Sequence, residues 1–249
     1  MFRGAPETVN QRAPRRWTFA RFVTTCSSLL IPPQCVLCGA AGQRGPLDLC
    51  EGCEADLPWR TPAFERLQDP LDGLFAPFAY RAPLAALIRQ WKFHGARHHA
   101  QWLGILLARE RQRLAPALPD CVVPIPLHPH RRRERGFNQS GELARVLARE
   151  VRRPCRPELL RRVRDTRTQS LQPEIERYFN LVGAFAGLPC RGLAIALVDD
   201  VFTTGSTMAA AAEVLVNAGA RSVEAWAVAR AGKTHPSGHQ TSSETPTTT

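Results

Sequence analysis

The stretch LVDDVFTTGST, residues 197–207, carries an apolar run into two adjacent carboxylates, Asp199 and Asp200, and then into a hydroxyl-rich loop with one glycine. The run that delivers the acids, LAIALVDD at 193–200, has the length and composition of a buried strand. An Ala-rich stretch at 207–220 predicts a helix that stops near Asn217 and Gly219. SVEAWAVA at 222–229 predicts another strand. Strand, helix and strand within about 37 residues is the right-handed crossover unit of a parallel sheet, so the fold class is α/β.

The same patterning extends upstream. LFAPFAY at 74–80 predicts a strand that leads into a helix at 83–93, with Pro83 at its first position. Residues 98–115 have apolar positions at helical spacing and a charged opposite face. CVVPIPL at 121–127 predicts a short strand cut by prolines, with Val123–Pro124 and Ile125–Pro126 as bonds where a cis peptide costs little. Residues 140–151 predict a helix with Ser140 as its N-cap and an apolar face at Leu143, Val146 and Leu147. The basic–apolar alternation at 159–168 predicts an exposed helix face.

Asp199 and Asp200 fall at a strand's carboxyl end, where ligands bind in open α/β sheets. Thr203, Thr204, Gly205, Ser206 and Thr207 form the turn into the next helix. Unpaired N–H groups and the helix dipole favour an anion there, and Gly205 allows close backbone approach. This is a phosphate cradle without the Gly-Lys-Ser/Thr of a Walker loop. Two carboxylates repel a phosphate but accept hydrogen bonds from vicinal hydroxyls, with a divalent cation nearby as a further partner. Two hydroxyls beside a phosphate describe a ribose 5-phosphate. A strand-end Asp pair that merely caps a helix is the plain structural alternative.

Four of the eight cysteines form two C-x-x-C pairs, Cys35 with Cys38 and Cys50 with Cys53, separated by eleven residues. Two such knuckles complete a tetrahedron around zinc. With four thiolates no position is open to water, so this zinc would be structural. Cys26, Cys121, Cys155 and Cys190 are scattered and read as buried or incidental thiols.

The chain has 249 residues, a net charge of +11 and a pI near 10.1. That charge favours anionic partners. Nearly all of it is arginine, with lysine only at Lys92 and Lys233, a bias that genome composition can also produce. No stretch reaches the roughly 20 apolar residues of a membrane span. Arg21 interrupts the semi-apolar N-terminal segment, so a targeting reading fails and a cytoplasmic protein with reduced thiols is expected.

The 197–207 stretch resembles the phosphoribosyl diphosphate (PRPP) signature of type I phosphoribosyltransferases. The wider chain resembles one branch of them, the ComF family, which includes the GntX-like proteins. The resemblance is carried by the cysteine knuckles, LIRQWKFHG (87–95), VVPIPLHPHRRRERGFNQS (122–140), LLRRVRDTRTQ (159–169), RYFNLVGAF (177–185) and LVDDVFTTGST. It runs in order over roughly four-fifths of the chain. Tyr178 and Phe179 depart from the polar or basic residues typical of that family element, while Arg177, Asn180, Gly183 and Phe185 keep its framework.

The resemblance implies a type I phosphoribosyltransferase-like parallel sheet flanked by helices, with an N-terminal four-cysteine zinc unit. It implies that Asp199 and Asp200 hold the ribose hydroxyls of PRPP and that Thr203 to Thr207 hold its 5-phosphate. By analogy Leu127 and His128 occupy the pyrophosphate loop, with Arg135, Gly136, Asn138 and Gln139 as further contacts. Arg131, Arg132 and Arg133 divide between that role and a solvated basic loop, and Phe137 reads as a packing anchor. Lys92, in the family's K-F element, is an active-site candidate. Mg²⁺ would accompany PRPP, and phosphoribosyl transfer to an acceptor with release of pyrophosphate would be the reaction. No catalytic base is evident.

The alternative is a non-catalytic PRPP- or nucleotide-binding factor in competence, DNA uptake or DNA use, with single-stranded DNA or a DNA-uptake protein as partner. The organisation expected is an extension at 1–30, a zinc unit at 31–60, a phosphoribosyltransferase-like domain at 61–231 and a disordered tail at 232–249.

Overall fold

The structure, a computed structural model, describes residues 34–42, 47, 49–94, 98–114, 117–164, 181 and 183–232. The expectations for 1–30, for Lys233 and the tail beyond Gly232, and for Arg177 to Asn180 lie outside the described residues. The chain divides into two compact units, Met1–Glu51 and Gly52–Thr249.

In the first unit, a bridge between Gln34 and Ala41 closes a tight turn. Cys35 N–H donates to Ala40 O, and Gly39 N–H donates back to Cys35 O. A short helix α1 (Glu51–Ala55) starts at the end of this unit.

The second unit is built on a six-stranded sheet. Its strands are β1 (Phe64–Arg66), β2 (Gly73–Phe75), β3 (Phe78–Ala79), β4 (Cys121–Pro124), β7 (Ala194–Phe202) and β8 (Ser222–Arg230). The order is β1-β2-β8-β7-β4, with β3 also on β8. All pairings are parallel except β1 on β2. A separate antiparallel pair joins β5 (Leu160–Arg162) to β6 (Phe185–Gly187). The helices are α2 (Leu84–His94), α3 (His98–Leu114), α4 (Pro129–Arg135), α5 (Gln139–Glu150) and α6 (Ser206–Asn217).

The crossover unit forms as its pattern predicts: β7, α6 and β8 follow one another, and β7 pairs β8 along nearly its full length. Ile195 and Leu197 of β7, with Val223, Ala225 and Ala227 of β8, pack into one core with Met208, Ala211, Ala212 and Leu215 of α6. The intervening Ala196, Val198, Trp226 and Val228 are equally buried, as a parallel strand covered on both faces requires. Helix α5 packs on β4, β7 and α3. Gly104 permits the close crossing of α3 and α5, since a Cβ there would stand 2.6 Å from Cγ1 of Val146.

Several local expectations are corrected. The strand expected at 74–80 is two pieces, because Pro77 brings no N–H to the ladder and Ala76 N–H donates to Ala63 O instead. The strand expected at 121–127 ends at Pro124. Helix α2 starts one residue after Pro83. Among the described residues the cis bonds are Thr61–Pro62, Asp69–Pro70 and Ala82–Pro83, so those preceding Pro124 and Pro126 are trans. The described part of 159–168 is no helix face. It ends a 3-10 turn (Pro157–Leu159) and pairs as β5. Ser140 is not the cap of α5: Asn138 holds that position, and Ser140 lies inside the first turn, buried.

Candidate ligand-binding site

Strand β7 continues past its acids to Phe202, so Asp199 and Asp200 lie within the paired strand, a few residues short of its end. The ladder pairs Asp199 with Ala227 and resumes at Val201 with Ala229. Asp200 is buried and Asp199 half-buried. Three groups from other elements or the adjacent backbone converge on them. Ser140 Oγ, on α5, donates to Asp199 Oδ1 at 2.7 Å. The Asp200 N–H donates to the same oxygen at 2.9 Å. Lys92 Nζ, on α2, lies 2.9 Å from Asp200 Oδ2. The Lys92 backbone is itself held, since its carbonyl accepts from Gln139 Nε2 at 3.4 Å.

Electrostatics follow from this packing. Desolvation pushes the Asp199 carboxyl up to about 6, and the neighbouring Asp200 charge adds to the rise; Ser140 and Lys92 oppose it. Burial pulls the Lys92 ammonium down, but attraction to Asp200, and then to Asp199, outweighs it and the net shift is upward. Lys92 therefore stays charged across neutral pH.

The loop after β7 turns through Gly205, which caps α6 in the left-handed region at φ +83°. A Cβ there would meet Phe202 Cζ at 2.5 Å. The Thr204 and Ser206 hydroxyls stand 2.8 Å apart, and the Ser206 N–H points to Thr204 Oγ1 at 3.4 Å. Thr203 is exposed, and Thr207 sits in the first turn of α6. Thr204, Gly205 and Ser206 line a hollow of about 380 Å³, together with Leu67 to Leu71 and Arg230.

The other sequence candidates sit along α4 and the start of α5. His128 caps α4, its Nδ1 accepting from His130 N–H at 3.4 Å. Arg135 ends α4, and Gly136 closes it at φ +75°. Asn138 Nδ2 donates to Ile125 O at 3.1 Å, tying α5 to the end of β4. Leu127, Gly136 and Asn138 line a separate groove of about 480 Å³, together with Arg132, Arg145, Arg161, Arg162 and Glu142. Phe137 is buried there, in keeping with a packing anchor. The structure thus brings Lys92 to the acid pair, with Gln139 holding the Lys92 carbonyl, while Leu127, Gly136 and Asn138 line the arginine groove. A third cavity, about 680 Å³ between Trp59–Phe64 and the end of α3, contains none of the sequence-predicted residues.

Sequence reasoning missed Ser140 as a partner of Asp199. Its only signal was its place directly after the R-G-F-N-Q element, where a serine before an apolar helix reads as a cap.

The four knuckle thiols lie within 4.8 Å of one another, and Cys38 Sγ and Cys50 Sγ are 3.7 Å apart. Four sulfurs about 2.3 Å from a tetrahedral zinc stand roughly 3.8 Å from each other, so the cluster fits a structural zinc. Burial disfavours the Cys35 thiolate, but backbone N–H bonds from Cys50, Cys38 and Leu37 outweigh it and bring its pKa to about 6. Such donors suit a metal-bound sulfur. Elsewhere, burial pushes the Cys121 thiol up to about 11, and Cys155 and Cys190 upward too. These are inert packing thiols. No helix among the described residues is long and apolar enough to cross a membrane.

The chain is 35% identical over 206 residues to the DNA utilization protein YhgH of Salmonella typhimurium, covering 79% of this chain and 89% of that protein. It is 30% identical over 203 residues to the competence protein ComFC of Bacillus subtilis, covering 79% and 77%. The chain belongs to the ComF family. No family model matches the chain. Among solved structures, this ComF-family chain is similar to a glutamine PRPP amidotransferase from B. subtilis. The TM-score is 0.35 and the identity 22%, over 51% of this chain and 25% of that one.

Proposed function

We propose that this ComF-family protein binds PRPP, with Asp199 and Asp200 accepting hydrogen bonds from the ribose hydroxyls and Thr203 to Thr207 receiving the 5-phosphate. The observation that carries the reading is the juxtaposition on one strand–turn–helix. Two carboxylates lie near the carboxyl end of β7, and a hydroxyl loop turned by Gly205 opens α6 a few residues later. Mg²⁺ would travel on the diphosphate of the ligand.

The reaction such a donor supports is phosphoribosyl transfer. An acceptor forms a bond to the anomeric carbon, and the bond to the diphosphate oxygen breaks with its electron pair on the departing pyrophosphate. The protein's part is positioning and electrostatics. The attacking nucleophile belongs to the acceptor.

The test is a thermal melt of zinc-loaded protein with and without Mg-PRPP. Ligand at 100 times its dissociation constant adds about 2.7 kcal/mol, a shift of several degrees. Loss of the shift in Asp199→Asn supports the reading. A well-folded wild type that does not shift sinks it.

A second reading has an observation of its own. Arg132, Arg145, Arg161 and Arg162 border one groove against a single acid, Glu142. The relatives are named for competence and DNA utilization. On this reading the groove follows the phosphates of single-stranded DNA. Binding would fall steeply with salt and would not change in Asp199→Asn.

A further inference from the structure

We propose that Lys92 is the built-in counter-cation of the acid pair, so that the pair takes the vicinal hydroxyls of a ribose phosphate with no divalent metal ion on its carboxylates. This deepens the ribose-phosphate reading above and rests on it.

The oxygens of the pair divide cleanly. Asp199 Oδ1 accepts from Ser140 Oγ and from the Asp200 N–H. Asp200 Oδ2 faces the Lys92 ammonium. Among the described residues nothing engages Asp199 Oδ2 or Asp200 Oδ1. Each carboxylate thus keeps one acceptor oxygen, and a vicinal diol brings two donors. A carboxylate oxygen accepting a hydroxyl proton is a charge-assisted bond, stronger than a neutral one.

The charge balance points the same way. Two bare carboxylates side by side hold a charge of −2 and form the kind of oxygen site that collects a divalent cation. With Lys92 paired to one of them the net charge is −1. The ammonium fills one cation position and repels a dication at close range, and partial burial reduces the screening of that repulsion. Lys92 is not a chance visitor from the surface. Its side chain is only 24% exposed, its own carbonyl is held by buried Gln139, and the preceding residue, Trp91, is fully buried. Both anchors keep the stem aimed at β7. The raised affinity of the ammonium for its proton keeps it charged wherever Asp199 is ionised.

The probe is ribose 5-phosphate, which carries the diol and the phosphate without the metal-binding diphosphate. Full-length protein with its zinc retained is titrated calorimetrically in magnesium-free buffer and in buffer with excess Mg²⁺. Wild type is expected to bind with the same affinity, within about twofold, in both. Lys92→Met is expected to lose about 30-fold in magnesium-free buffer and to recover about tenfold when Mg²⁺ is added. Lys92→Arg, which keeps the charge, should stay independent of Mg²⁺. A lysine that only stabilised the fold would lower the melting temperature without creating any response to metal. Wild-type binding that rises more than about tenfold with Mg²⁺ overturns the inference and leaves the ribose-phosphate reading standing; this arm needs no variant. A folded Lys92→Met that binds like wild type without metal also overturns it. Wild type that melts cooperatively but binds ribose 5-phosphate in neither buffer overturns the reading and the inference together.

Discussion

Ser140 Oγ lies 2.7 Å from Asp199 Oδ1 and donates to it, joining α5 to β7 across 59 positions of sequence. The bond fixes which oxygen of Asp199 is left for a ligand, and it stabilises the ionised carboxylate. Hydrogen bonds to charged groups contribute about 1.5–3 kcal/mol, part of which water would replace in this half-exposed setting. Ser140→Ala should therefore weaken PRPP binding about tenfold. Ser140→Thr, which keeps the hydroxyl, should lose less. Titration of both variants at one pH separates this effect from a general loss of fold.

The raised Asp199 carboxyl makes both stability and binding depend on pH. Its folded value, about 6, lies above the ordinary aspartate value of 3.8, so the native state holds the proton more tightly than the unfolded chain. Stability contributed at this residue falls as pH rises from about 4 to about 6 and stays lower above that. Asp199→Asn should remove this slope and should be more stable than wild type at pH 7, by on the order of 1 kcal/mol. Ligand binding that needs the carboxylate should run the other way, strengthening through pH 6. Urea unfolding and ligand titration across pH 4.5 to 8 check both signs.

Gly205 is the position where the loop tolerates no side chain. Its φ of +83° disfavours any L-residue, and a Cβ would meet the Phe202 ring at 2.5 Å. Gly205→Val should cost about 2–4 kcal/mol of stability, from the left-handed backbone and the ring clash. It should also abolish the PRPP-induced shift. Chemical denaturation with and without ligand reads both.

The cysteine cluster should hold about one zinc per chain, and replacing one of four thiolates should open it. Cys38→Ser is expected to lose most of the metal and to lower the melting temperature. The Asp199–Ser140–Lys92 constellation lies on other elements, so the metal-free protein should keep some PRPP binding. Metal analysis and melts of wild type and variant, before and after chelation, test this.

The parts of the site carried by local sequence were legible before the structure. The acid pair, the loop and the crossover strands each follow from a contiguous pattern, and β7–α6–β8 forms where that pattern places it. The four cysteines were legible for the same reason. Ser140 was misread because a serine ahead of an apolar helix is a cap in most contexts, whereas here Asn138 starts the helix and the hydroxyl turns inward. Lys92 could be suspected but not placed, since its pairing with Asp200 depends on how α2 lies against β7. The 159–164 segment was misread because its order comes from pairing with Phe185–Gly187, a partner more than twenty residues away. What sequence left open is tertiary: side chains from distant helices decide which carboxylate oxygens remain free.

The measurement that bears most directly on the central claim is a calorimetric titration of Mg-PRPP into wild type, Asp199→Asn and Asp200→Asn. Saturable binding with a one-to-one stoichiometry in wild type, weakened at least tenfold in each variant, is the predicted result. Wild-type binding that survives both substitutions unchanged, or its absence from a folded sample, would contradict the account.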